Sequence, residues 1–109
     1  MAQAYKVLAQ SAPSATTNTD VLTVGSGKSV VASTVTVCNR GTSAAQYRIA
    51  VRPSGTALAN QHYIVFDANV MGRDTVNLTI GLTLAATDVL TVYASSANLS
   101  FSVFGAEIS

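Results

Sequence analysis

Charge is scarce in this chain: Lys, Arg, Asp and Glu make up 10% of its 109 residues, where about a quarter is usual for a soluble domain. Tryptophan is absent, histidine and cysteine occur once each, and proline twice. Each shortage excludes something. The basic residues Lys6, Lys28, Arg40, Arg48, Arg52 and Arg73 are scattered, with a net charge of +1, so no basic stripe is available to neutralise phosphates and nucleic-acid binding is not expected. A single cysteine, Cys38, rules out an internal disulfide and leaves a thiol expected to be buried as a small apolar group. No apolar run nears the roughly 20 residues that cross a bilayer as a helix. The start, Met1-Ala2-Gln3-Ala4-Tyr5-Lys6, lacks the basic cluster and long apolar stretch of a signal peptide. Synthesis in a cytoplasm, without secretion or membrane contact, is the expectation.

What is present is alternation. Residues 75–84 read Thr-Val-Asn-Leu-Thr-Ile-Gly-Leu-Thr-Leu, which places Val76, Leu78, Ile80, Leu82 and Leu84 on one face of an unbroken, half-buried strand and uncharged polar residues on the other. Residues 45–52 alternate in the same way, with Tyr47, Ile49 and Val51 inward and Gln46, Arg48, Ala50 and Arg52 outward. In the β-branched run 28–39, simple parity puts Val31, Val35 and Val37 on one face and Val30, Ala32 and Cys38 on the other. Shorter candidates cover 4–10, 20–24, 62–68, 89–94 and 99–108, and residues 56–60 form the one plausible helical turn. About eight short strands separated by turn signals and no convincing helix predict an all-β fold: a single domain over residues 1–109, an antiparallel β-sandwich or jelly roll.

The motifs that suggest chemistry have plainer readings. Gly25-Ser26-Gly27-Lys28-Ser29 resembles the end of a phosphate-binding loop, but the spacing needs glycine where Leu22 stands and a helix where residues 30–37 are strand-forming. A glycine hairpin is expected instead. His62 has no nucleophile motif beside it, and a hydrogen bond at a strand end is its expected role. Asp20, Asp67, Asp74 and Asp88 fall near strand ends, where carboxylates usually accept from nearby backbone N–H groups rather than gather round a cation. The sequons at Asn77 and Asn98 lie in strand-like sequence with no secretory route. Aromatic residues are spread over most strands, so core filling is expected of them, with Tyr47 and Phe101 inward and Tyr63 with them. No catalytic residue, cofactor or metal is expected, and the chain is not expected to be an enzyme.

Assembly fits better. A lone β domain must guard its edges with lysine, proline, bulges or closure, yet only Lys6 and Lys28 are available and Pro13 and Pro53 sit in connectors. Uncharged Thr, Ser and Asn faces pack between subunits without the desolvation cost of buried charge. A homo-oligomer is expected, a trimer being one form, with Arg40, Arg48 and Arg52 as its interface residues because guanidinium forks make directional contacts. The same faces would also arise from the β propensity of threonine alone.

The stretches Thr36-Val37-Cys38-Asn39-Arg40-Gly41, Tyr47-Arg48-Ile49-Ala50-Val51, Asn60-Gln61-His62-Tyr63-Ile64, Leu82-Thr83-Leu84 with Asp88, and Phe104-Gly105-Ala106-Glu107-Ile108 together resemble short virion structural proteins of tailed bacteriophages. The resemblance implies a small β-sandwich present in many copies in the virion and made in a bacterial host. Its implied role is capsid decoration or cement, with the major capsid protein or other virion proteins as partners. A tail, baseplate or fibre component is the alternative, and a carbohydrate- or receptor-binding module using Tyr63, Asp67 and Asp74 is a second.

Overall fold

A computed structural model describes residues 3–109. Nine strand segments account for most of them: β1 (Gln3–Ser11), β2 (Thr19–Thr23), β3 (Ser29–Asn39), β4 (Ala45–Arg52), β5 (Tyr63–Val70), β6 (Thr75–Leu78), β7 (Leu82–Leu84), β8 (Val89–Ala94) and β9 (Leu99–Ile108). They form two antiparallel sheets. Sheet A runs β1-β9-β3-β6, with β7 also on β3, and sheet B runs β2-β8-β4-β5. Because β6 pairs with the Val35 to Cys38 stretch of β3 and β7 with the Val30 to Ala32 stretch, the two short segments occupy one strand position. The result is two four-position sheets, each interleaving early and late strands, which is a jelly roll.

The sheets close on an apolar core because inward residues of both alternate with outward polar ones. Sheet A supplies Val35, Val37, Leu99, Phe101 and Val103, and sheet B supplies Tyr47, Ile49, Leu90, Val92 and Ala94, all buried. Tyr47 meets Phe101 edge to face across the interface, with centroids 6.3 Å apart, and burial pushes the Tyr47 phenol up from its ordinary value. The facing of β4 residues follows its alternation, although the outward Ala50 is itself covered at 2% exposure.

Elsewhere three irregularities lie side by side and overturn simple parity. β1 shifts register between Val7 and Ala9, and β3 shifts between Ala32 and Thr34, both against the same point of β9 at Phe104. The partner on the other side of β3 breaks there too, between Leu78 and Leu82, with Gly81 at φ +58. Residues 75–84 are therefore two strands rather than one, and Ile80 is exposed instead of inward. The extra residue in β3 puts Val30, Ala32, Val35 and Val37 together in the core, while Val31 and Cys38 face out. The line passes through Gly105, where a Cβ would run into the Val31 carbonyl oxygen. A glycine in that strand permits the close backbone approach.

Loops at each end are tied to one another. At one end Asn39, 1% exposed, donates from Nδ2 to the carbonyls of Ser43 (2.9 Å) and Val70 (3.2 Å) and accepts from the Gly41 N–H (2.9 Å). At the other, the Asp88 carboxylate accepts from the N–H groups of Ser54 and Ala85, each at 2.9 Å. Gly25 to Lys28 forms a turn, but it links β2 in sheet B to β3 in sheet A, so it is a corner between sheets and not a hairpin. Residues 56–59 of the expected helical turn at 56–60 are not helical; short 3-10 turns lie before them at Pro53–Gly55 and after them at Asn60–His62.

Candidate interaction site

The two outer faces differ in kind. On sheet A the pairs Tyr5 with Ala106, Val7 with Phe104, Phe104 with Thr34 and Val31 with Ala106 and Thr83 fix which residues point outward. Continuing that parity through Thr36, Asn77, Cys38, Ser100 and Ser102, no outward position of the described sheet A strands is charged. The only ionised side chains on those strands, Lys6 and Glu107, have the opposite parity. Four large apolar groups stand exposed on this face: Tyr5 (81%), Val7, Val31 and Phe104. Cys38 is half-buried among the uncharged positions rather than in the core.

At the projecting end of β1 both faces are open, since Gln3, Ala4, Tyr5, Lys6 and Val7 are all exposed. Lys6 Nζ donates to Glu107 Oε1 at 3.1 Å and Lys28 Nζ lies 3.6 Å from the same oxygen. The Lys6 hydrogen bond, with the charge of Lys28 behind it, holds the Glu107 carboxyl below its ordinary value.

The outer face of sheet B carries charge and aromatic rings together. Register sets Arg48 beside Tyr93, and the guanidinium lies between the Phe66 and Tyr93 rings, 4.2 Å from each centroid. Asp67 closes the group: Arg48 Nε donates to Oδ1 at 2.6 Å and Nη2 to Oδ2 at 3.3 Å. These hydrogen bonds raise the Arg48 value and lower that of the Asp67 carboxyl. Tyr63 meets Phe66 edge to face at 4.8 Å. Core filling thus holds for Tyr47 and Phe101 but not for Tyr5, Phe66 and Phe104, which are exposed, nor for Tyr63 and Tyr93, which are half-exposed on the outside. The outward parity of Arg48 was legible in β4; the partners that sandwich it depend on long-range register.

The other two arginines named from the sequence are likewise engaged within the chain. Arg52 donates to Thr91 Oγ1 (3.1 Å), Asp20 Oδ1 (2.8 Å) and the carbonyls of Gly55 (3.2 Å) and Thr56 (3.0 Å), pinning the loop after β4 to sheet B. Arg40 donates to Ser100 Oγ (3.2 Å) and the Ala97 carbonyl (2.8 Å). The three do not converge on one surface: Arg48 and Arg52 belong to sheet B, while Arg40, from the loop after β3, reaches Ser100 at the loop end of the sheet A face.

Each aspartate also has a local task. Asp20 and Asp67 pair with arginines, Asp88 caps two loops, and Asp74 accepts from the Thr75 N–H at 2.8 Å. Tyr63 and Asp67 share β5 while Asp74 lies past its far end, so these three do not form one cluster. His62 Nδ1 accepts from the Ala59 N–H and the His62 backbone N–H donates to the Ala59 carbonyl, each at 3.0 Å, which fastens the entry to β5. Among the described residues there is no pocket, no group of three or more metal-ligating side chains, and no helix long and apolar enough to cross a membrane.

No protein-family model, no curated protein and no solved structure matches this chain. The likeness to phage virion proteins therefore rests on the quoted sequence stretches alone.

Proposed function

We propose that the chain is a multi-copy structural protein of a bacteriophage virion, a capsid decoration or cement module that works through protein–protein contact rather than catalysis. The observation that carries this proposal is the uncharged outer face of sheet A with Tyr5, Val7, Val31 and Phe104 exposed on it. Away from Arg40, which lies against Ser100 at one end, covering this face desolvates no ion, and its apolar area contributes at about 25 cal/mol per Å² removed from water. Sheet B, with Asp20, Arg48, Arg52 and Asp67 on its outside, suits the side left in solvent. A module of this build laid across the seam between shell subunits adds contact area that resists their separation. Purified particles analysed by quantitative mass spectrometry should contain the chain at a copy number comparable to the shell protein. A low copy number points to the tail, baseplate or fibre alternative, and absence from particles refutes the proposal.

One observation favours a second function, a carbohydrate- or receptor-binding module: the exposed Phe66 ring, with Tyr63, Arg48 and Asp67 against it, offers aromatic and charged groups side by side. Binding on a glycan panel that is lost in Phe66→Ala supports it; no binding removes it.

A further inference from the structure

We infer that β1 is a self-pairing edge, through which two copies of this chain join in antiparallel fashion into one continuous sheet. This rests on the multi-copy function proposed above and names the surface by which one copy meets the next.

Four edge positions exist in the two sheets, and three are interrupted. β6 and β7 are four and three residues long and separated at Gly81. β2 has five residues with a register shift between Asp20 and Leu22. β5 is irregular opposite β4, where register shifts fall between Tyr47 and Ile49 and between Ile49 and Ala50, and Asp67 has φ +53. Breaks of this kind prevent another strand from adding on. On β1 the shift falls after Val7, so Gln3 through Val7 keep regular register against β9 and present an unbroken free edge. The one residue that would ordinarily guard it, Lys6, is drawn back across the sheet to Glu107. Both faces of this stretch are open as well, which leaves room for a second strand and its side chains.

The chemistry of the stretch suits a second copy. With a two-fold axis at Tyr5, pairing sets Tyr5 against Tyr5, Val7 against Gln3, and Lys6 against Ala4 of the second copy. Ala4 is the neighbour of Glu107 on its own sheet, so each Lys6 stands two strands, roughly 9.5 Å of backbone, from the carboxylate of the other copy, within reach of a lysine side chain. No like charges are opposed directly. The two uncharged sheet A faces become one surface of doubled width, with the tyrosine pair at its centre. A single strand edge buries less than the roughly 800 Å² per partner of a standard interface, so association in the micromolar range is expected.

Tyr5 is the most exposed large apolar residue described, so its replacement leaves the core intact, and circular dichroism checks this. Sedimentation equilibrium of the intact chain, carried to the order of hundreds of micromolar, should give a dimer. Tyr5→Lys, which opposes two cations at the axis, should weaken association by at least about tenfold. In a Cys38→Ser background, Tyr5→Cys should form an intermolecular disulfide on mild oxidation, because directly opposed Cβ atoms lie roughly 4.5–5.5 Å apart, within about 1 Å of the span a disulfide needs. Phe66→Cys, on the interrupted β5 edge, should not. An oligomer, trimer or otherwise, that survives Tyr5→Lys and leaves Tyr5→Cys unlinked overturns the inference while leaving a multi-copy role intact. A monomer throughout the range also overturns it, and the chain's presence in particles then decides the function separately.

Discussion

Replacing Asn39 by alanine removes three hydrogen bonds at the joint between β3, the loop after it and the end of β5. The three are not equal. The bond to the Val70 carbonyl is buried, so water does not replace it, and losing it costs about 1–3 kcal/mol. Gly41 and Ser43 lie nearer solvent and can rehydrate, so each lost bond there costs about 0.5 kcal/mol, at the lower end of the net value. The sum is about 3 kcal/mol, or about 15 °C in Tm for a domain of this size. Equilibrium urea unfolding followed by tyrosine fluorescence should show the midpoint falling with the m-value unchanged. Asn39→Asp separates hydrogen bonding from volume: it keeps the acceptor for Gly41 but sets a carboxylate against two carbonyl oxygens, so at neutral pH it should be no more stable than the alanine variant. A loss under about 1 kcal/mol for Asn39→Ala, or an aspartate variant as stable as the parent, would refute the reasoning.

Three other outcomes follow from the same contacts. Gly105→Ala should destabilise by about 3 kcal/mol, since the added methyl meets backbone that cannot rotate away, whereas Gly27→Ala, with open space but φ +75, should lose only about 1 kcal/mol; paired urea titrations compare them. Acidification should weaken the fold below the ordinary carboxylate range: the Asp67 and Glu107 values are lowered in the folded chain by Arg48 and Lys6, so their stabilisation is complete above the unfolded values and disappears as the pH falls through the folded ones. Asp67→Asn with Glu107→Gln should flatten that acid limb in thermal melts, and an unchanged limb would contradict the assignment. Alkylation of Cys38, which faces out of sheet A, should proceed in the free chain and slow by at least about tenfold in assembled particles, because burial shields the thiol.

The alternation in residues 45–52 carried enough information to set the facing of β4, because a strand with one buried face repeats at two residues and nothing interrupts β4 itself, but it did not show that the outward Ala50 is covered. The same logic failed in β3 and in residues 75–84 because a bulge is decided by the strand alongside. One extra residue between Ala32 and Thr34 reversed the facing of Val30 and Val31, and no local pattern announces it. Gly105 and Gly81 were the available signals, since glycine inside a strand marks a bulge or a close backbone approach. The Arg48 group shows the other limit. Its outward direction is local, but the rings on either side come from β5 and β8, and bringing them there depends on pairing across 18 and 45 residues of sequence. That no outward strand position of sheet A is charged was hidden for the same reason: the scarcity of charge was plain in composition, and its unequal division between the two sheets' strands emerges only once strand order is known.

The central claim, that the outer face of sheet A is where this chain meets other protein, is tested most directly by a density map of the assembled particle at side-chain resolution. The account predicts neighbouring protein packed on Tyr5, Val31 and Phe104, with the Arg48, Phe66 and Tyr93 stack of sheet B turned to solvent. Density showing sheet A bare and sheet B covered would contradict it.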